Sequence, residues 1–280
     1  MTRGLSSHLI RNHRLTTAWL DKVWEAGIDV VELFCARQSL DYRNASQMAE
    51  LGHWFRDSEL KLHSLHSPMY SDDCGGRSGP SAVINIADPE KIRRRGSVDE
   101  IKRAIEIAET VPFHYLIQHV GVSGEEFEEQ KVEAAFNSLE EINVFAVHRG
   151  VEVLLENIPN QLSSSERLAW LLEFTHLDNG FCFDTGHAHI MEGVEAAFNR
   201  MKDRIRSTHV HDNDGENDTH LFPMAASGGT IEWRRTMELL GSRGHLVPLM
   251  LELREPHGID HPLAAVREVF QHLENLPAKQ

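Results

Sequence analysis

The stretch VEVLLENIPNQLSSSERLAWLLEFTHLDNGFCFDTGHAHI, residues 151–190, contains one full unit of the architecture. A short apolar run at 151–156 is followed by a longer amphipathic segment at 164–175, then by a second short apolar run at 180–185. Short runs rich in β-branched, leucine and aromatic residues read as strands, and the longer segment reads as a helix. Strand, helix, strand in that order makes a parallel pair joined by a helical crossover. Each of the two strands closes on a carboxylate, Glu156 in one and Asp184 in the other.

The same alternation extends in both directions. Further strands are expected at 4–9, 29–35, 60–66, 114–120, 205–211 and 246–252. Between them, 16–26 carries Leu20, Val23 and Trp24 at helical spacing, and 45–57 carries Met48, Leu51 and Trp54. Ser97 with Glu100 forms a capping-box pattern, so a helix is expected to begin there and to run on through Ile101, Ile105 and Ile107. Segments 125–149, 192–202, 231–242 and 261–275 complete the helices. Eight strands alternating with eight helices predict a single α/β domain over 1–280, a (β/α)8 TIM barrel. An open doubly wound sheet is disfavoured, because no G-x-G-x-x-G turn follows the first strand. The one long irregular stretch, 67–96, follows the third strand, where a barrel places an active-site loop.

Composition narrows the function. The chain has 280 residues, with 28 lysines and arginines against 43 aspartates and glutamates, a formal charge of −15. That balance argues against a nonspecific nucleic-acid coat or an anionic membrane surface. Hydrophobic residues make up 41%, enough for a sizeable core. The longest apolar stretch, Leu246 to Leu251, is short and contains Pro248, so no bilayer span is expected. The opening MTRGLSSHLIRNHR lacks an apolar signal core, and the three cysteines (Cys35, Cys74, Cys182) cannot all pair; a cytoplasmic protein is expected.

The 18 histidines decide the rest. In a barrel, side chains from several strands converge where the strands end. Glu32 lies within strand two, His66 ends strand three, His119 strand four, Glu156 strand five and Asp184 strand six, with His187 and His189 just beyond. His209 and His211 end strand seven, Asp218 and His220 follow in its loop, and Glu252 ends strand eight. A lone histidine is ordinarily a hydrogen-bonded structural residue, and His8, His63, His114 and His189 read that way, His63 having the opposite strand parity from His66. Glu156 and Glu252 each end an apolar run with no basic residue in the strand. Buried carboxylates need a cation, and a divalent metal would satisfy several of these groups at once in a nitrogen–oxygen shell. The basic run Lys91, Arg93, Arg94, Arg95 reads as the solvated approach to a helix rather than a phosphate site. Asp212-Asn213-Asp214-Gly215 imitates a calcium loop, but its glycine is too early and no glutamate follows at the twelfth position.

The Glu156-Asn157 strand end, Asp184-Thr185-Gly186-His187, His209-x-His211-Asp212, Asp218-x-His220 and Glu252 together resemble the xylose-isomerase-like TIM-barrel superfamily. That superfamily joins sugar isomerases and epimerases to the endonuclease IV type of abasic-site nuclease. The resemblance to its ketose 3-epimerases implies one metal held by Glu156, Asp184, His209 and Glu252, with Glu156 and Glu252 as the catalytic pair that moves the proton. It also implies that His187 binds substrate. His211 is expected to hold a sugar hydroxyl beside it, and Glu32 to do the same near the pocket rim unless it pairs with Arg37. The resemblance to the nuclease branch implies additional ligands, His66, His119, His187, Asp218 and His220. The loop after His220, LFPMAASGGTIEW, departs from the shorter glycine-rich turn usual there.

The expected function is therefore a sugar or sugar phosphate isomerase or epimerase dependent on a divalent metal (manganese, zinc, magnesium or iron; one to three ions). The alternatives are an endonuclease IV-like zinc phosphodiesterase and a polyol lyase or dehydratase. A metal-stabilised sugar-binding protein without turnover ranks last. A small-molecule sugar is the expected partner and relatives point to a homo-oligomer. Nucleic acid is disfavoured by the acidity and by a shortage of basic residues in the other strand-end loops, and no membrane is involved.

Overall fold

Eight short parallel strands follow one another around a ring in the computed structural model, which describes residues 1–223, 228–242, 247–255 and 261–276. They are β1 (Arg3–Ser6), β2 (Val30–Phe34), β3 (Lys61–His66), β4 (Tyr115–His119), β5 (Glu152–Glu156), β6 (Gly180–Asp184), β7 (Ile205–His209) and β8 (Leu249–Leu251). From β1 to β7 each strand pairs with the next in sequence, and β8 pairs with β1. Between β7 and β8 the ring is closed by one parallel bridge, Val210 to Leu251. Val210 donates its N–H to the Met250 carbonyl (2.8 Å) and accepts from the Glu252 N–H (3.2 Å). The chain is a (β/α)8 TIM barrel. Strand eight, expected from residue 246, is described only from Leu249; Leu246 lies outside the described residues, as do 224–227 of the loop after His220.

The helices are α1 (Thr17–Glu25), α2 (Ala45–Asp57), α3 (Lys91–Ile105), α4 (Glu129–Val147), α5 (Ser165–Glu173), α6 (Thr185–Met191), α7 (Val194–Met201), α8 (Trp233–Gly241) and α9 (Pro262–Glu274). Their apolar faces pack on the outside of the barrel, as with Leu20 and Val23 of α1 or Leu139 and Ile142 of α4. Inside the barrel Ile117, Leu154 and Cys182 form a smaller plug with Tyr115 packed against it. Gly4 is required where β1 meets β8, since a side-chain carbon there would come within 2.9 Å of the Met250 side chain.

Two helical expectations change. The helix expected to start at Ser97 begins at Lys91, capped by the Glu90 carboxylate on the Ile92 N–H (3.2 Å). Ser97 sits inside it, donating to the Arg93 carbonyl (3.2 Å) and accepting from the Asn85 N–H (3.0 Å), which ties the preceding loop to the helix. Glu100 is buried and holds Tyr42, Arg43 and Arg103, so its spacing from Ser97 reflects tertiary pairing rather than a cap. The basic run is the first turn of α3, with Arg93 paired to Asp88. The second change is α6, which adds a helix directly after β6. His63 also departs from its expected parity. The β2–β3 register shifts between Val31 and Glu32, and His63 reaches across the barrel to the Ser207 hydroxyl (3.3 Å).

Candidate metal centre

The register of the strands sets the site. His119 lies beside Glu156 on β4 and β5, Asp184 beside His209 on β6 and β7, and Glu252 follows β8 immediately. Local structure fixes the rest. Asp184 ends β6 and caps α6, accepting from the His187 N–H at 2.6 Å, which carries His187 over the barrel mouth. Asn157 grips the Asp184 backbone at both ends, donating to its carbonyl and accepting from its N–H at 2.9 Å each. Gly186 leaves room for the His211 ring, since a side-chain carbon there would come within 2.0 Å of it. Asp212 is held by Trp233 Nε1 (2.6 Å) and by the Asn213 and Ile231 N–H groups, so it anchors the loop.

Three donor groups result. Glu156, Asp184, His209 and Glu252 form the deepest, and all four are buried. His66 and His119 join Glu156 in a second, and His187, His211, Asp218 and His220 make a third. Within each group the donor atoms lie within 4.8 Å of one another, the spread expected of ligands about 2.0–2.3 Å from a shared ion. Glu156 belongs to two groups. Its Oε1 is 3.0 Å from His209 Nδ1, and its Oε2 is 3.0 Å from His119 Nε2 and 3.5 Å from His66 Nε2.

The imidazoles are aimed from behind. Nδ1 of His66, His187 and His220 donates to the carbonyls of Ser67 (2.8 Å), Asn157 (2.9 Å) and Glu252 (2.9 Å), leaving each Nε2 lone pair for the centre. His209 is turned the other way. Its Nε2 donates to Glu32 at 3.0 and 3.1 Å, and Ser64 donates to the same carboxylate at 2.7 Å, so Nδ1 faces Glu156, Asp184 and Glu252. His220 adopts φ 48°, the one positive value at a non-glycine residue among those described, and such strain is characteristic of functional sites.

This arrangement fits divalent metal. His66 and His119 point their Nε2 atoms at one another across 3.2 Å, although His66 already donates through Nδ1 and has no second proton while neutral. Among the described residues no lysine or arginine lies within ion-pair distance of Glu156, Asp184 or Glu252; their partners are imidazoles. Burial pushes Glu156 up, but His209 and His119 outweigh it and hold the carboxyl well below its usual range. Burial pulls His209 down, yet the Cys182 sulfur and the carboxylates of Glu252, Glu32 and Glu156 raise it well above the ordinary imidazole value. His187 is raised in the same way, Asp184 overcoming burial with help from Asp218 and Glu156. Protons thus stand where cations would bind.

The expected ligands converge, in three neighbouring donor groups. Glu32, however, does not stand at the rim or pair with Arg37: it is buried behind His209, while Arg37 pairs with Asp41 (3.1 Å). His211 is fully buried, 3.1 Å from Asp184 and stacked on His220 at 3.9 Å. His8 donates through Nδ1 to the Leu253 carbonyl (2.9 Å), and His189 lies 2.9 Å from the Thr230 hydroxyl. Neither belongs to a donor group.

The chain belongs to the family described as xylose isomerase-like TIM barrel, which matches residues 20–276. Among curated proteins it is 24% identical over 212 residues to the uncharacterized protein y4fM of Sinorhizobium fredii, covering 70% of this chain and 67% of that one. It is 27% identical over 211 residues to a probable endonuclease 4 of Natronomonas pharaonis, covering 68% and 75%. Of solved structures, a D-tagatose 3-epimerase-like protein superposes with TM-score 0.77 at 23% identity, over 98% of this chain and 97% of that one. The IOLI protein with a bound zinc atom superposes with TM-score 0.74 at 16% identity, over 98% of each. Enzymes are general in this family. Among the described residues no helix is long and apolar enough to cross a membrane.

Proposed function

We propose that the chain is a metal-dependent hydrolase whose polynuclear divalent centre cleaves phosphate esters. The observation that carries this reading is Glu156, whose two oxygens face different donor groups. A carboxylate so placed would contribute an oxygen to each of two neighbouring divalent ions. Its group with His66 and His119 has the two-imidazole, one-carboxylate composition of catalytic zinc sites that keep an open position. Divalent ions held there would supply Lewis acidity to the ester oxygens and activate water as the nucleophile. The chain's own residues hold the frame: Glu32 fixes His209, backbone carbonyls fix three imidazoles, and Asp218, more exposed than its partners, closes the third group at the mouth. Similarity to a probable endonuclease supports the reading.

A sugar isomerase or epimerase is the second reading, and one observation favours it. Glu156, Asp184, His209 and Glu252 form a complete four-donor group, with two carboxylates flanking it that would exchange a substrate proton. A polyol lyase or dehydratase would use the same pair. This chemistry needs Glu156 free to accept a proton, whereas both its oxygens face imidazoles. Elemental analysis of the purified protein, combined with hydrolysis of bis(p-nitrophenyl) phosphate and solvent deuterium exchange into ketoses, separates the two. The expected result is more than one ion per chain, with cleavage lost on chelation and restored by zinc or manganese. One ion per chain, ketose exchange and no ester cleavage would overturn the proposal in favour of the isomerase. Asp218→Ala should lower metal content without abolishing the four-donor site.

A further inference from the structure

A cavity of about 540 Å³ opens beside the donor groups, walled by the segments that follow β1, β2 and β3. Its charged lining is three arginines, Arg11, Arg37 and Arg77, against one carboxylate, Asp72. That carboxylate is turned into its own loop, accepting from the Gly76 N–H (2.7 Å), the Ser78 N–H (2.9 Å) and the Cys74 thiol (3.0 Å). Arg37 is balanced by Asp41. Arg11 and Arg77 have no carboxylate within ion-pair distance among the described residues. Half-buried Arg11 donates to His8 Nε2 at 2.8 Å, and His8 already donates through Nδ1 to Leu253, so that partner is a neutral imidazole that cancels no charge. Burial and the nearby Arg254 guanidinium push Arg11 below its ordinary value, with Glu252 and Asp218 opposing them. Half-buried Arg11 and exposed Arg77 line the same concave wall with no carboxylate paired to either among the described residues, and their fork geometry suits phosphate.

The cavity is one ring removed from the donor groups on two sides. Phe34, in its wall, lies tilted against His66 with centroids 4.4 Å apart, and His8, which holds Arg11, lies 4.7 Å from the His220 ring. We propose that this cavity is a phosphate subsite, so that the substrate is a small phosphate ester bearing a second phosphate group, seated on Arg11 and Arg77 while the reacting ester lies among the metal ligands. This rests on the phosphate-ester reading above and specifies its substrate class. A confined basic pocket on a chain of net charge −15 suits a small anion better than an extended polyanion.

The test is calorimetric binding of fructose 1,6-bisphosphate, fructose 6-phosphate and fructose to the metal-loaded protein and to the chelated protein. The bisphosphate should bind the loaded protein at least about tenfold more tightly than the monophosphate, roughly the strength of one charge-assisted contact pair. Arg11→Met with Arg77→Met should bring the two within about twofold, with metal content and melting temperature unchanged, and exposed Arg77→Met alone should shift the ratio the same way. Equal binding of bisphosphate and monophosphate by the native protein, or a preference that survives both substitutions, would overturn the proposal. So would tight binding of a duplex oligonucleotide that the same substitutions abolish. In chelated protein, monophosphate binding should persist and depend on the arginines. If no metal binds at all, that arm still reads the subsite, so the two readings fail separately.

Discussion

The two halves of the barrel mouth are built by opposite means. From β3 to β8 most of the donor groups stand on strand ends or the first residues beyond them, where the register fixes each side chain, and the loop after β7 adds Asp218 and His220. On the side of β1 to β3 the arginines stand on loops, several residues past the last paired strand position. The first half is acidic and imidazole-rich and calls for cations; the second is cationic and calls for anions. The difference teaches that a barrel can collect ligands for a metal from its wall, while its loops set which molecule is admitted.

The contrast can be broken experimentally, and Glu156→Gln should have the largest effect. Losing the carboxylate shared by two donor groups should empty both in elemental analysis and, on the hydrolase reading, lower ester cleavage by about 10³-fold or more; retention of full metal content would refute a bridging role. Next, Glu32→Gln keeps every ligand but loosens the orientation of His209. Metal affinity in a competition titration should fall by about 10- to 100-fold, the usual cost of a ligand's supporting partner. An unchanged affinity would mean that Glu32 supports the fold alone. Gly186→Ala forces a carbon against the His211 ring and should lower stability by about 1–3 kcal/mol in thermal melts, with the third group losing metal before the other two. Neither arginine substitution should touch metal content.

The smallest effect is a pH trend whose sign depends on the metal. Without metal, His187 and His209 are raised in the folded state, so their stabilisation is fully present below the ordinary imidazole value near about 6.5 and fades as pH climbs through the raised ones. Glu156 and Asp184 are depressed, and their contribution is present above the ordinary carboxylate range and lost as pH falls through their folded values. In chelator the melting temperature should therefore decline from neutral to alkaline pH. With saturating metal it should hold or rise over the same interval, because protons no longer compete for the ligands. Parallel curves would argue that no ion is held by these imidazoles.

Sequence alone revealed the donor half for a physical reason. Glu156, Asp184 and His209 sit at strand ends, where apolar periodicity stops and a polar residue has no ordinary explanation. It was silent on the arginine half, since Arg11, Arg37 and Arg77 carry no periodic signal and meet only through loop geometry. Glu32 was singled out for its place in an apolar strand, but its pairing with His209 from across the barrel is a tertiary contact that no local pattern encodes. The α6 helix was hidden because Thr185–Met191 has polar histidines where a helix would show its apolar stripe. Ser97 and Glu100 show the converse, a local pattern matched by chance and put to other uses by tertiary contacts.

The bridge at Val210 and Leu251 is the thinnest seam of the ring, and His209 and Glu252 stand on its two sides. An ion gripped by both would act as a clasp across it, coupling the last strand to the rest. Hydrogen exchange of the Val210 and Glu252 amides would then slow with metal more than exchange elsewhere in the sheet. In such a barrel, loading the centre and shutting the cylinder would be a single event.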